Sequence, residues 1–311
     1  MPGTLKTRHL LSMDDLSPAE VGLVLSEAAR MKAAHKAGRD EPVLAGKVLA
    51  MIFQKPSTRT RVSFEVAMRH LGGSAIYLSG NDIQLSRGEP IADTAKVLSR
   101  YADGIMARVF GHGDLEELAR NATCPVINGL SDLTHPCQML ADLQTVQERL
   151  GRLAGVRFTY VGDGNNVAHS ILLGGAKVGM HVSIGSPKGY EPLAQVVARA
   201  AEVAKGTGGS VRVVNDPTEA ARQADVLYTD VWASMGQEKE HEARVKIFHS
   251  YQLNAALLKV ASPNVLVMHC LPAHRGEEIS AEAIAGPHSV VWDEAENRLH
   301  AQKALLALLM R

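Results

Sequence analysis

Short apolar runs alternate with segments of helical period along almost the whole chain, and this alternation limits the fold more than any other feature. Residues 46–53, 74–78, 104–108 and 125–128 read as strands in the first half. Residues 156–161, 180–184, 211–214, 226–229 and 265–268 read as strands in the second. Helical patterns fall between them at 12–37, 91–101, 114–121, 132–150, 166–177, 192–205 and 217–223, with a leucine-rich helix at about 294–309 closing the chain. Strand–helix alternation of this kind specifies parallel sheets covered by helices. Gly151 to Gly155 interrupts the pattern and marks a domain junction. The expectation is an α/β protein of two domains, and 311 residues with 46% hydrophobic content are enough to build two cores.

The totals exclude several function classes. Lys+Arg and Asp+Glu both number 33, so no global field draws the chain to nucleic acid or to an acidic membrane. Aromatic residues are only 4%, which argues against base stacking. No apolar run reaches transmembrane length, and residues 1–11 lack the apolar core of a signal peptide. Cys124, Cys137 and Cys270 show no paired spacing. Together these point to a cytoplasmic protein with reduced thiols.

Within this frame Lys55-Pro56-Ser57-Thr58-Arg59-Thr60-Arg61 stands out. It follows a buried strand and opens a helix whose apolar face is Phe64, Ala67, Met68 and Leu71, with Gly72-Gly73 as the stop. Ser57 is placed to cap that helix. Lys55, Arg59 and Arg61 crowd the helix end where the macrodipole favours anions. A bound phosphate or carboxylate reconciles those cations with the hydroxyls and the free N–H groups of the first turn. In open α/β sheets ligands bind at the carboxyl ends of strands. The other polar residues in such positions are Arg108, His135 to Gln138, Asn165-Asn166, Asp230 and His269-Cys270. Both halves of the chain contribute, so a cleft between domains is the expected location.

Two rival chemistries are disfavoured. Gly162-Asp163-Gly164-Asn165-Asn166-Val167 suggests a dinucleotide turn, but Val167 is bulky where a small residue is needed. The following strand ends in Ile184-Gly185-Ser186, with no acidic residue for a ribose, so no nicotinamide cofactor is expected. A zinc site from His269, Cys270 and His274 lacks any CxxC or HxxxH pair, and no metal is expected.

Taken together, Ser57-Thr58-Arg59-Thr60-Arg61, His135-Pro136-Cys137-Gln138, Asp230-Val231-Trp232-Ala233-Ser234-Met235-Gly236 and His269-Cys270-Leu271-Pro272 resemble the four signature motifs of the ornithine carbamoyltransferases, in family order. The flanks at 97–101, 142–145 and 292–306 match as well. The first motif is common to all transcarbamoylases, whereas the Ser-Met-Gly and His-Cys-Leu-Pro segments point to ornithine. The resemblance implies a carbamoyl phosphate-binding domain over residues 1–150, with the C-terminal helix 290–311 returning to it, and an L-ornithine-binding domain over 151–289. It also implies a homotrimer, or a multiple of trimers, in which Gln84 acts across an interface. The partners it implies are two small molecules, carbamoyl phosphate and L-ornithine, with neither nucleic acid nor membrane involved.

The implied reaction moves a carbamoyl group from carbamoyl phosphate to the side-chain amine of L-ornithine, giving L-citrulline and phosphate without a cofactor, in arginine biosynthesis. The phosphate falls to Ser57, Thr58, Arg59 and Thr60, with Gln84, Pro136 and Cys137 also in the carbamoyl phosphate set. Thr60, Arg108, His135 and Arg298 are placed to stabilise the carbamoyl oxygen. Gln138 and the Cys270–Leu271 backbone accept from its NH2. Asn166, Asp230, Ser234 and Met235 hold ornithine, and Cys270 or Asp230 takes the proton. Putrescine is disfavoured by the complete Ser-Met-Gly segment, and an acylated ornithine by the lack of a proline-rich loop between Val231 and Tyr251.

Overall fold

The computed structural model describes residues 4–233 and 240–311. They divide into two compact units, Met1–Gln144 with Glu296–Arg311, and Thr145–Ala295.

The first unit opens with α1 (Pro18–Lys36), followed by β1 (Val48–Phe53), α2 (Thr58–His70), β2 (Ser74–Ser79), α3 (Ile91–Tyr101), β3 (Gly104–Arg108), α4 (His112–Asn121), β4 (Val126–Leu130) and the start of α5 (Pro136–Leu150). Its four strands are parallel in the order β2-β1-β3-β4. β1 and β3 are buried along nearly their whole length, which accounts for their unbroken apolar sequences. β2 lies at the edge and alternates between exposed and half-buried positions. Ile52, Ile105 and Val126 from the sheet join Ala95 of α3 with Leu115 and Leu118 of α4 in one apolar cluster. Phe64 of α2 is fully buried, a contribution of roughly 2–3 kcal/mol.

The second unit alternates β5 (Arg157–Val161), α6 (Asn166–Lys177), β6 (His181–Gly185), α7 (Ala194–Thr207), β7 (Ser210–Val214), α8 (Pro217–Ala221) and β8 (Val226–Thr229). It then adds α9 (His241–Phe248), α10 (Ala255–Val260), β9 (Leu266–His269), α11 (Ala281–Ala285) and the start of α12 (Val291–Met310). Its five strands are parallel in the order β7-β6-β5-β8-β9. From Glu296 onward α12 belongs to the first unit: Gln302 donates to Ser63 Oγ of α2, and Lys32 of α1 to Asn297 Oδ1, both at 2.7 Å. The expected α/β class, with parallel sheets, flanking helices and a returning C-terminal helix, is what the chain adopts.

Local departures from the sequence pattern have local causes. The pattern over 12–37 splits into a 3-10 turn, Met13–Asp15, and α1, because Ser17 and Glu20 form a capping box just ahead of Pro18. α5 starts at Pro136 rather than at 132, since proline suits the first helical position. α9, α10 and α11 are short and carry no clear period, and the alternation gave no sign of them. No helix among the described residues is long and apolar enough to cross a membrane.

Candidate active site

Each sheet reverses its strand order once, and each reversal opens a ligand position at the carboxyl ends of the strands. In the first unit the reversal lies between β1 and β3, in the second between β5 and β8.

At the first reversal, Phe53 and Arg108 are register partners, and Gln54 N–H donates to the Arg108 carbonyl at 2.8 Å. The register between β3 and β4 slips at Ala107/Arg108, and such a bulge re-aims the side chain beside it. Gln54 also accepts from Phe110 N–H and donates to Asp114, both at 2.8 Å, so the turn leading to α2 is fixed. Lys55 is buried with Nζ 4.4 Å above the Phe110 ring. Ser57 caps α2, accepting from Thr60 N–H at 3.3 Å and donating to Thr60 Oγ1 at 3.1 Å. Gly72 ends the same helix with φ +79°, the left-handed conformation that a stop requires. Arg61 turns away toward Glu65, at 2.8 Å, and stacks over Tyr77 at 4.0 Å, so it supports the helix and edge strand.

Arg298 of α12 completes the group. It is almost wholly buried and donates to Gln138 Oε1 at 2.7 Å, Gln302 Oε1 at 3.0 Å and Thr60 Oγ1 at 3.4 Å. Gln138 in turn donates to Asp142 at 2.8 Å. His135 is buried among these cations: burial first, then Arg298, Arg108 and Arg59, hold its pKa well below the ordinary value. His135 is therefore neutral, and the charge of this site comes from the guanidinium groups. The Cys137 thiol donates to the Asn128 carbonyl at 3.3 Å, and burial pushes its pKa up to about 12. What the chain offers a ligand at Pro136 and Cys137 is backbone at a helix start. Gln84 opens a 3-10 turn, Gln84–Arg87, and is exposed.

The reversal in the second unit is acidic. Asp230 follows β8 and is largely buried. It accepts from Cys270 Sγ at 3.0 Å, Asn165 Nδ2 at 3.1 Å and its neighbour Val231 N–H at 2.8 Å. Asn165 also caps α6, accepting from Val167 and Ala168 N–H, and Asn166 is the first residue of that helix. Gly164 has the packing reason that the dinucleotide reading lacked: a Cβ there would lie 2.2 Å from Pro192 N. Asp163, beside it, pairs with Arg244 at 2.9 Å. Burial pushes the Asp163 carboxyl up to about 6 against the pull of Arg244. Arg244 also donates to Glu240 and to the Trp232 carbonyl, both at 3.0 Å.

Behind Cys270 lies a second layer. Leu271 has φ +57°, unusual for leucine, and its N–H donates to His269 Nδ1 at 2.9 Å. A backbone N–H only donates, so Nδ1 is the acceptor and Nε2 carries the proton, which it gives to Glu278 Oε1 at 3.1 Å. Both nitrogens of His269 are thus engaged. Glu294 accepts from His269 N–H at 2.9 Å and from Tyr228 at 3.0 Å. Ser234 and Met235, expected in the ornithine set, lie outside the described residues. Residue types and strand ends marked Asp230 and Cys270. Asn165, Arg244 and Glu294 act through partners distant in sequence, and Glu278 through His269 and the His274 N–H; of these only Asn165 left a sign, as a polar residue just past a strand.

Comparison with known proteins follows the same two-part division. Residues 8–148 match the family model for the carbamoyl-P binding domain of aspartate/ornithine carbamoyltransferase, and residues 154–309 match its Asp/Orn binding domain. A protein of Pyrococcus abyssi named ornithine carbamoyltransferase is 58% identical over 307 residues, covering 99% of this chain and 97% of that relative. One of Pyrococcus furiosus named ornithine carbamoyltransferase, anabolic, is also 58% identical, over 99% of this chain and 98% of its own length. The solved structure of the Pyrococcus furiosus ornithine carbamoyltransferase superimposes with a TM-score of 0.96 at 57% identity, covering 99% of this chain and 98% of that one. That of Gloeobacter violaceus does so with a TM-score of 0.88 at 52% identity, over 98% and 99%. With both domain models matched in order along nearly its full length, the chain belongs to the aspartate/ornithine carbamoyltransferase family.

Proposed function

We propose that the protein is an ornithine carbamoyltransferase, which transfers the carbamoyl group of carbamoyl phosphate to the side-chain amine of L-ornithine and releases L-citrulline and phosphate. The family contains two acceptor types, and one observation carries the choice between them. The switch point of the second unit presents Asp230 hydrogen-bonded to Cys270, with Asp163 nearby. An acidic surface of this kind suits an acceptor that arrives as an ammonium and opposes the extra carboxylate of aspartate. The relatives at 54–59% identity, all named ornithine carbamoyltransferase, support the same choice.

In this reading residues 1–150 with 290–311 bind carbamoyl phosphate, and 151–289 bind L-ornithine. Ser57, Thr58, Arg59, Thr60 and the α2 N-terminus hold the phosphate, so that it leaves as a stabilised anion. Thr60, Arg108, Arg298 and neutral His135 donate to the carbamoyl oxygen as it gains charge in the tetrahedral intermediate. Gln138 Oε1 and the Cys270–Leu271 backbone accept from the carbamoyl NH2. The ornithine amine, with an ordinary pKa of about 10.4 by analogy with lysine, has to lose its proton before it attacks. Asp230 orients it and Cys270 receives the proton. Asn166, Ser234 and Met235 hold the α-amino and carboxylate groups.

The protein works in the cytoplasm, in the biosynthetic direction, as a homotrimer or a multiple of trimers, with Gln84 serving a neighbouring subunit. The anabolic name of the Pyrococcus furiosus relative supports the direction, and half-exposed Val62 and Ile76 near the edge strand β2 support self-association. A colorimetric citrulline assay offering ornithine, putrescine, N-acetylornithine and aspartate tests the proposal. Ornithine alone should be carbamoylated efficiently, and preference for any other acceptor refutes it.

A further inference from the structure

Outside the residues assigned to the reaction, the second unit gathers a set of side chains of metal-binding type. His241, the first residue of α9, places Nε2 3.0 Å from Glu277 Oε2. His274, in the turn after Cys270-Leu271-Pro272, places Nδ1 3.8 Å from the same oxygen. The ligand atoms of the three residues all lie within 4.8 Å of one another. The second observation is independent of these. Glu278 is fully buried, and its Oε1 accepts from His269 and from His274 N–H, at 3.1 and 2.5 Å. Its other oxygen, Oε2, has no hydrogen-bond partner among the described residues and lies 3.8 Å from His274 Nδ1. A buried carboxylate oxygen without a donor is costly, and here it lies against one member of the cluster, His274.

We propose that His241, His274 and Glu277 form a site for a divalent transition-metal ion of the zinc class, with Glu278 behind His274. In a tetrahedral zinc site with bonds of about 2.0–2.2 Å, neighbouring ligand atoms stand roughly 3.4 Å apart. The separations of Glu277 Oε2 from His241 Nε2, 3.0 Å, and from His274 Nδ1, 3.8 Å, bracket that value. Imidazole with carboxylate selects Zn2+, Co2+ or Ni2+ over Mg2+ and Ca2+, which prefer all-oxygen shells. His241 and His274 are about half-exposed, so an ion enters from solvent. The bound ion fastens the start of α9 to the 274–278 turn. It also lies one side chain, Glu278, away from His269 and the backbone that carries Cys270.

The test is titration of the full-length protein with Zn2+ by calorimetry and with Co2+ by absorption, for the wild type and for Cys270→Ser. Both should bind a metal whose cobalt spectrum has ligand-field bands without a sulfur-to-cobalt band. His241→Gln and His274→Gln, both at exposed positions, should each weaken binding at least tenfold (about the effect of losing even an outer partner). His35→Gln, in a separate His35–Asp40–His70 group, should leave it unchanged. Three results overturn the proposal: affinity unchanged by the His241 and His274 substitutions, a thiolate band that disappears with Cys270→Ser and takes all the binding with it, or no binding by either ion at concentrations well above the protein's. None of these readouts depends on carbamoyl transfer, so failure here leaves the proposed activity standing.

Discussion

Asp230→Asn isolates the charge of the acceptor site with almost no change of shape. Asp230 is largely buried, and asparagine retains an oxygen for Val231 N–H or Asn165. The perturbation is therefore chiefly the lost negative charge opposite the incoming amine. A unit charge about 4 Å from an ammonium, at an effective dielectric of about 20, interacts by about 4 kcal/mol. That is about three decades in kcat/KM, at 1.36 kcal/mol per decade. A lower bound comes from losing one hydrogen bond to a charged group, about 2 kcal/mol or roughly thirtyfold. Steady-state assays with ornithine should therefore show kcat/KM reduced by about 30- to 1000-fold, while carbamoyl phosphate affinity measured by calorimetry stays within about threefold. A fall of less than tenfold, with the fold intact by circular dichroism, refutes the assignment of Asp230 as the residue that receives the amine. A matching loss of carbamoyl phosphate affinity refutes the assignment of separate duties to the two units.

Other substitutions test the remaining groups. Arg59→Ala should abolish carbamoyl phosphate binding in calorimetry while leaving the thermal transition in place, and unchanged affinity removes the residue from the phosphate site. Cys270→Ala should lower turnover by about a hundredfold or more with little effect on carbamoyl phosphate affinity, on the scale of losing a general base; near-normal turnover excludes a role in proton transfer. Asp163 titrates at about 6 in the fold against 3.8 ordinarily, so the folded state holds its proton more tightly. Its contribution to stability is complete below pH 3.8 and is lost as the pH rises through about 6, at most about 3 kcal/mol. Asp163→Asn should flatten the pH dependence of thermal unfolding across that window, and an unchanged profile contradicts the assignment.

The sequence showed most where a residue's position along the chain decides its environment. The unbroken apolar runs of β1 and β3 gave two strands at the centre of their sheet because a strand buried on both faces needs no polar alternation. The turn from Lys55 to Arg61 was recognisable because the cations Lys55, Arg59 and Arg61 at a helix start break a local electrostatic rule. Arg298 lies in a leucine-rich helix with no such conflict, and only the family resemblance brought it to the anion site. Arg244, Glu278 and Glu294 were hidden for the same reason. Each acts across dozens of residues or through a backbone N–H, and neither kind of contact leaves a period or a spacing in the sequence. Helix starts were misjudged where a proline set them, at Pro18 and Pro136, because an apolar pattern extends past the point where the backbone can follow it.

The overall charge balance conceals the arrangement that matters for chemistry. Lys+Arg equals Asp+Glu over the chain, yet the switch point of one sheet is lined by Arg59, Arg108 and Arg298, and that of the other by Asp163 and Asp230. The two units use one architectural device with opposite signs. Neutral His135 shows how firmly the first sign is set, since three guanidiniums and burial together keep a further proton away from it. In the second unit Arg244, the cation paired with Asp163, is committed to Asp163, Glu240 and the Trp232 carbonyl, and on the proposed reading Asp230 faces the acceptor. On that reading acceptor choice is a property of the second unit alone. Changes to the phosphate residues weaken donor binding for every acceptor alike, whereas turning the protein toward an anionic acceptor requires reversing the charge around Asp230 and supplying a cation that Arg244, in its present bonds, does not provide.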